Sequence, residues 1–279
     1  MSYIILLFFL LSFSFGGVKV QEYSLQNGVK LILKETQGKG IVSGVIFIKS
    51  GTYGEEKRGL TNLMAALLTK GTKTYSPYEI ASAFEDYGGN IYTSTADDYV
   101  EIGFSTKVEG LKKGLEVIRS LLTEPTFSQE DIEREKKNVL QAIRSRKERG
   151  HELASDALRR ITYKGSNYEV GPLGQEEDVK TIGREDIVKR WEEVLKSRNV
   201  VVSLVGDFKS EEVLPLLKEV FSALPEDEYK VEPKNVPMVE SLVERVKRPG
   251  SQATVLCVFD APDFKTEEYF AFKVLDSVL

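Results

Sequence analysis

The stretch that decides the fold is Gly59-Leu-Thr-Asn-Leu-Met-Ala-Ala-Leu-Leu-Thr-Lys-Gly-Thr72. Leucine and methionine recur in it at three- and four-residue spacing, which is typical of a helix with one apolar face. The pattern therefore predicts a helix over 59–68, with Leu60, Leu63, Met64 and Leu67 on the buried side.

This helix, with the apolar run and the Gly-Thr that follow its motif positions, resembles the zinc-binding helix of the pitrilysin/insulinase family. These are the inverted-zincin metallopeptidases, which include the mitochondrial processing peptidases. That family carries H-x-x-E-H here; both histidines bind zinc and the glutamate is the general base. The matching positions in this chain are Asn62 and Ala66 for the histidines and Ala65 for the glutamate. The resemblance thus covers the residues around the motif but not its zinc ligands or its general base.

The third zinc ligand of the family, a glutamate, lies on a later helix in a context similar to Val139-Leu-Gln-Ala-Ile143. Ala142 occupies that ligand position in this chain. Asn62, Ala65, Ala66 and Ala142 are therefore degenerate together, which implies a subunit that no longer performs the chemistry. We expect no metal, cofactor or catalytic residue in this chain, and no peptidase activity from it alone.

Composition excludes several other functions. The chain has 279 residues, 41% hydrophobic and 29% charged, with a net charge of −5. This predicts one large or two modest globular domains and gives no sign of a nucleic-acid partner. A single histidine, His151, and a single cysteine, Cys257, are too few for an intrinsic zinc site. We expect Cys257 to be a buried thiol in an apolar strand over 254–259.

The amino-terminal segment 1–17 is predicted to be a signal peptide. Its apolar run, from Tyr3 to Phe15, is too short to span a bilayer. Ser14 and Gly16 are small residues at the positions that signal peptidase recognises. We expect cleavage near Gly16 or Gly17 and export to a periplasm or the exterior, with no other membrane segment. The alternative is an uncleaved amino-terminal anchor.

The rest of the pattern groups strands before helices, which predicts an α+β fold with a mixed or antiparallel sheet packed by helices. Strands are expected over 22–34 with a hairpin turn at Asn27-Gly28, and over 41–49, 90–96, 99–107 and 199–205. Helices are expected over 59–68, 76–87, 110–122, 128–149, 152–163, 184–196 and 210–223.

Two domains are predicted. Residues 18–223 form the first, and 224–238 form a linker with three prolines and dense charge. The strand predicted over 254–259 and a helix starting at Thr266 then repeat the earlier strand-and-helix order. Residues 239–279 are therefore interpreted as the start of a second homologous domain, incomplete at Leu279.

Further segments share the order and spacing of the same family, among them 88–94, 171–174 and 199–207. The resemblance implies two homologous α+β domains per subunit, with two halves or subunits enclosing a peptide-binding chamber. In two-subunit members one chain carries zinc and the other has lost it. This chain resembles the zinc-less member, so its expected partner is an active zinc-bearing subunit of the same family.

Peptide substrates of this family add as an extra strand to a sheet edge beside the metal. The matching residues here form the expected substrate-binding strand: Asn90, Ile91, Tyr92, Thr93 and Ser94. The alternative interpretation is an ordinary strand in which Asn90 is a turn residue.

Three functions remain open at this stage. The favoured one is a non-catalytic partner subunit that completes the chamber around an intact H-x-x-E-H subunit, with peptide or unfolded protein as substrate. The second is a free-standing peptide-binding or structural relative without proteolysis. The least favoured is an active zinc metalloendopeptidase with displaced ligands.

Overall fold

The computed structural model describes residues 20–231, 242–247 and 252–278. The predicted signal peptide 1–17 lies outside the described residues. So do 232–238 of the predicted linker and the first residues, 239–241, of the predicted second domain.

A six-stranded mixed sheet forms the centre of the first domain, in the order β1-β2-β6-β3-β5-β4. Its strands are β1 Val20–Ser24, β2 Lys30–Glu35, β3 Ile41–Ile48, β4 Asn90–Thr95, β5 Val100–Lys107 and β6 Val200–Gly206. Strands β2 and β6 are parallel, and the other neighbours are antiparallel. Gly28 forms the β1–β2 turn with φ 91°, which glycine adopts readily.

Nine helices occur within the described residues. They are α1 Leu60–Leu68, α2 Pro77–Glu85, α3 Leu111–Thr123, α4 Gln129–Glu148, α5 Gly150–Thr162, α6 Glu176–Thr181, α7 Arg184–Val194, α8 Ser210–Phe221 and α9 Glu268–Val278. The predicted α+β class, a mixed sheet packed by helices, is confirmed. Helix α6 was not predicted, because six residues are too few to show a helical period.

The core lies between one face of the sheet and the helices. Alternate residues of β3, including Val42, Ile46 and Ile48, are fully buried, while Ser43 on the opposite face is exposed. Helix α1 contributes Leu63 and Met64 to the same core. It packs against α4, α7 and the edge strand β4, which places the degenerate helix beside the edge of the sheet.

The prediction for residues 254–259 is wrong. The segment has no strand structure and its cysteine, Cys257, is exposed rather than buried. Helix α9 is present, yet none of its residues is buried. An apolar run becomes a strand only when a neighbouring strand pairs with its backbone, and none of the described strands does so here.

Candidate functional site

Helix α1 has two unlike sides. Leu63, Met64 and Ala65 are at most 1% exposed. Asn62 and Ala66 lie one turn apart on the opposite side and are half-buried. The two positions predicted to match zinc-binding histidines therefore share one accessible face, whereas the predicted general-base position is buried.

The amino-terminal end of α1 is held by a carboxylate that the sequence analysis missed. Glu55 is 8% exposed. Its Oε1 accepts from the Gly59 amide at 2.7 Å and its Oε2 from the Thr61 amide at 2.8 Å, two donors that a helix start otherwise leaves unpaired. Burial raises the pKa of Glu55, although these bonds and nearby Arg190 act in the opposite direction. A glutamate just before a helix start is the sequence signal that could have identified it.

Arg190 completes this support from helix α7. The side chain is 2% exposed, and its Nε donates to Thr61 Oγ1 at 3.0 Å. Its guanidinium also binds the Gly51 carbonyl and the Tyr229 hydroxyl, each at 2.8 Å. Arg190 lies on the stripe formed by the buried residues Ile187, Trp191 and Val194. A charged residue on such an apolar stripe was the available sequence signal, and no role was predicted for Arg190.

Helix α4 carries the predicted position of the third zinc ligand and packs against α1. Ala142 is half-buried, between the buried residues Val139 and Ile143 and the exposed Gln141. Because α1 and α4 pack together, Ala142 belongs to the same pair of helices as Asn62 and Ala66.

Strand β4 contains the five predicted substrate-binding residues and lies at the edge of the sheet. Asn90, Tyr92 and Ser94 are exposed, while Ile91 and Thr93 are half-buried toward the helices. Thr93 Oγ1 donates to the carbonyl of Ala65 at 2.9 Å. The edge strand is therefore fixed directly to α1 at the position of the missing general base.

The free edge of β4 presents backbone groups at alternate residues. The Ala96 amide bonds to the Tyr99 carbonyl across the hairpin, so it points toward β5. In an antiparallel ladder the residues one position away point outward. Thr95, Thr93 and Ile91 accordingly direct their amides and carbonyls away from β5, where an added strand would pair.

The Tyr92 side chain does not cover the outer edge of β4. Its hydroxyl donates to Glu101 at 2.6 Å, and its ring lies over Gly103, where a Cβ would be 2.2 Å from the ring. The bond to Glu101 raises the pKa of Tyr92. The ring is thereby held over β5 rather than over the outer edge.

The residues at the metal positions do not fit zinc. A catalytic zinc needs about three ligands from histidine, cysteine or carboxylates, and Asn62, Ala66 and Ala142 offer none. Among the described residues no group of three such side chains is placed to hold a metal. The single histidine, His151, is exposed on α5. The carboxylate of Asp97 forms an ion pair with Arg159.

Comparison with known proteins identifies the family. The family model described as insulinase (peptidase family M16) matches residues 30–174. A second family model, described as the peptidase M16 inactive domain, matches residues 181–279. The chain belongs to peptidase family M16. The resemblance inferred from the degenerate helix is thus confirmed.

Three relatives show the range of this family. An uncharacterized zinc protease YmxG of Bacillus subtilis is 23% identical over 264 residues, covering 93% of this chain and 64% of the relative. A mitochondrial-processing peptidase subunit beta of Dictyostelium discoideum is 23% identical, covering 71% and 43%. A non-peptidase homolog YmxG of Helicobacter pylori is 27% identical, covering 63% and 40%. The chain thus spans less than two thirds of the length of each relative.

Solved structures share the fold. A peptidase M16 inactive domain from Pseudomonas fluorescens superposes with a TM-score of 0.72 at 21% identity, covering 77% of this chain and 53% of that one. The periplasmic protease PqqL of Escherichia coli gives 0.70 at 20% identity, covering 79% and 25%. No helix within the described ranges is long and apolar enough to cross a membrane.

Proposed function

We propose that this M16 chain is a non-catalytic partner subunit of a heteromeric zinc peptidase. It forms part of the wall of a peptide-binding chamber whose active H-x-x-E-H site belongs to the other subunit. The observation that carries the proposal is the contrast between Ala65 and Thr93: the general-base position is an alanine, while the edge strand beside it keeps its bond to α1.

Two comparisons support this proposal. One relative is described as a non-peptidase homolog, and another as a subunit of a processing peptidase. Zinc, in this account, is supplied only by the partner. The contribution of this chain is the outward amides and carbonyls of Ile91, Thr93 and Thr95, which hold an extended peptide or unfolded protein through backbone bonds.

The decisive test compares peptide hydrolysis by a co-encoded H-x-x-E-H subunit alone and with this chain. We expect this chain to raise the rate or change the cleavage pattern on an unfolded peptide. Thr95→Pro removes one outward amide without removing a bond to β5, because proline is tolerated where the amide faces away from the ladder. Thr95→Val keeps the amide and is the matched control. If the wild-type chain changes neither rate nor pattern with any such subunit, the partner role is wrong.

The exposed edge also favours a second function, a free-standing peptide-binding or structural relative. In that case the isolated chain binds a fluorescent unfolded peptide, and Thr95→Pro weakens binding more than Thr95→Val does. Peptide binding without any effect on an H-x-x-E-H subunit would favour this second function over the first.

An active zinc metalloendopeptidase is the least supported reading. We expect the isolated chain to retain no stoichiometric zinc after a chelator wash and zinc reloading, because Asn62, Ala66 and Ala142 provide no zinc ligand. About one tightly held zinc per chain in metal analysis would contradict the non-catalytic assignment.

Export to a periplasm or the cell exterior is part of the proposal. The apolar run within 1–17 supports it, as does the fold shared with a periplasmic protease. Amino-terminal sequencing of protein from the native host should begin near Val18. A retained Met1 would indicate an anchored or non-exported protein instead.

A further inference from the structure

The described half of the predicted linker lies against the first domain. Residues 225–231, here named the strap, follow helix α8. The carbonyl of Pro225 accepts from the Ser197 amide at 3.0 Å, and that of Asp227 accepts from the Arg198 amide at 3.2 Å. Successive amides of the 3₁₀ turn 197–199 thus bind alternate carbonyls of the strap.

Asn199 fixes the next alternate residue at two points. Its Nδ2 donates to the Tyr229 carbonyl at 2.8 Å, and its Oδ1 accepts from the Tyr229 amide at 2.7 Å. The same Nδ2 also donates to the Lys49 carbonyl at 3.2 Å. Asn199 is 3% exposed, so its loss would leave buried backbone groups of both segments without partners.

The Tyr229 side chain reaches the support of helix α1. Its hydroxyl accepts from Arg190 Nη1, and its ring centre lies 5.2 Å from the guanidinium carbon. The remaining guanidinium nitrogens bind Thr61, Gly51 and Ser50. A buried guanidinium is tolerated only when its donors are paired, so Tyr229 is one of the groups that Arg190 requires.

The strap also contacts the loop that precedes α1. A Cβ at Gly54 would lie 2.7 Å from Val231 Cγ2 and 3.2 Å from the Tyr229 hydroxyl. Gly54 has φ 86° and precedes Glu55, which holds the start of α1. The strap therefore touches this support through both Arg190 and the Gly54 backbone.

We propose that Tyr229 is a positioning residue that docks the strap on Arg190 and couples it to the amino-terminal end of α1. The strap, which ends at Val231, is thereby held against the loop that precedes α1. Displacing the strap loosens the first turn of α1. This coupling does not depend on whether β4 binds peptide.

Hydrogen–deuterium exchange on the full 279-residue chain tests this coupling, because exchange reports local opening of individual segments. Tyr229→Ala removes the ring and the hydroxyl, and Tyr229→Phe removes only the hydroxyl. Lys230→Ala is the control, since Lys230 is an exposed neighbour in the strap whose ion pair is with Glu228.

In Tyr229→Ala we expect exchange on the order of tenfold faster at two places, the Ser197 and Arg198 amides under the strap and the Gly59 and Thr61 amides of α1. Tyr229→Phe should give a smaller increase at the same places, and Lys230→Ala none. Faster exchange confined to the strap contacts would overturn the coupling. Unchanged exchange at both places in Tyr229→Ala would overturn the docking as well. If Tyr229→Ala fails to fold, Tyr229→Phe alone decides, and no change at Thr61 overturns the proposal.

Discussion

The two sides of helix α1 have opposite chemistry. On the buried side, Glu55 and Arg190 remain as a hydrogen-bonded polar network around Thr61. On the accessible side, the positions predicted to match the zinc-binding histidines are Asn62 and Ala66, which are half-buried and are not zinc-ligand residue types. Polar side chains thus support the helix from its buried side, whereas its accessible side carries no zinc-ligand residue type.

The free-energy cost of substitution on each side explains this difference. Removing one member of a buried polar network leaves its partners desolvated and unpaired, which costs several kcal/mol. Replacing a half-exposed side chain changes stability by a few tenths of a kcal/mol. A chain of this fold can therefore lack metal ligands on α1 and still fold, but it cannot lose the buried support of α1 at the same cost.

The largest expected effect is that of Arg190→Met. This change leaves Glu55, Thr61 and Tyr229 without their shared cation, and we expect the free energy of unfolding to fall by about 3–5 kcal/mol. Urea denaturation of wild type and variant measures it. Arg134→Met is the control, since Arg134 forms exposed ion pairs on α4 and its removal should cost less than about 1 kcal/mol. Equal effects of the two variants would mean that the buried Arg190 network stabilises the fold no more than an exposed ion pair does.

Two neighbouring alanines provide a matched pair across the two sides. Ala65→Glu forces a large acid into a position that is 1% exposed, so we expect a loss of about 1–3 kcal/mol. Ala66→Glu places the same side chain on the half-buried side, and the change should remain within about 0.5 kcal/mol. Thermal and urea denaturation compare them. A larger loss for Ala66→Glu would show that its side is not accessible.

The bond between the edge strand and α1 is the next test. Thr93→Val removes the bond to the Ala65 carbonyl, and the free energy of unfolding should fall by about 0.5–1.5 kcal/mol. Thr95→Val is the control, because the Thr95 hydroxyl has no partner among the described residues. A comparable loss in both variants would mean that the Thr93 bond does not fix β4 to α1.

The smallest effect concerns pH. Burial raises the pKa of Glu55, so the folded chain keeps this proton to higher pH than the unfolded chain does. The Glu55 contribution to stability should therefore decline as pH rises above the ordinary value of 4.5 toward the raised pKa. Glu55→Gln lacks this titration. The difference in free energy of unfolding, wild type minus Glu55→Gln, should be flat below that window and fall within it. A difference that rises with pH would contradict the buried-acid assignment.

Periodicity predicted most of the fold, because amphipathic segments show their buried face in the spacing of their residues. The helix predicted over 184–196 is an example, since it is observed as α7 Arg184–Val194. The 254–259 segment shows the limit, since its apolar residues specify a strand only if another strand pairs with them. The candidate site likewise contains residues that the sequence predicted and residues that it did not. The degenerate positions were predicted from the motif. Glu55 and Arg190 were not predicted, because a glutamate before a helix and a charge on an apolar stripe do not by themselves show which groups they bind.

The sequence by itself determined the resemblance to the family, the lack of a zinc-ligand residue type at Asn62, Ala66 and Ala142, and a strand that begins at Asn90. These follow from residue types and spacing, which are local properties of the chain. Only the tertiary structure decided that Ala65 is buried, that Thr93 is bonded to it, and that Tyr229 docks on Arg190. Burial and long-range hydrogen bonds depend on which distant segments pack together, and a single sequence does not specify that pairing.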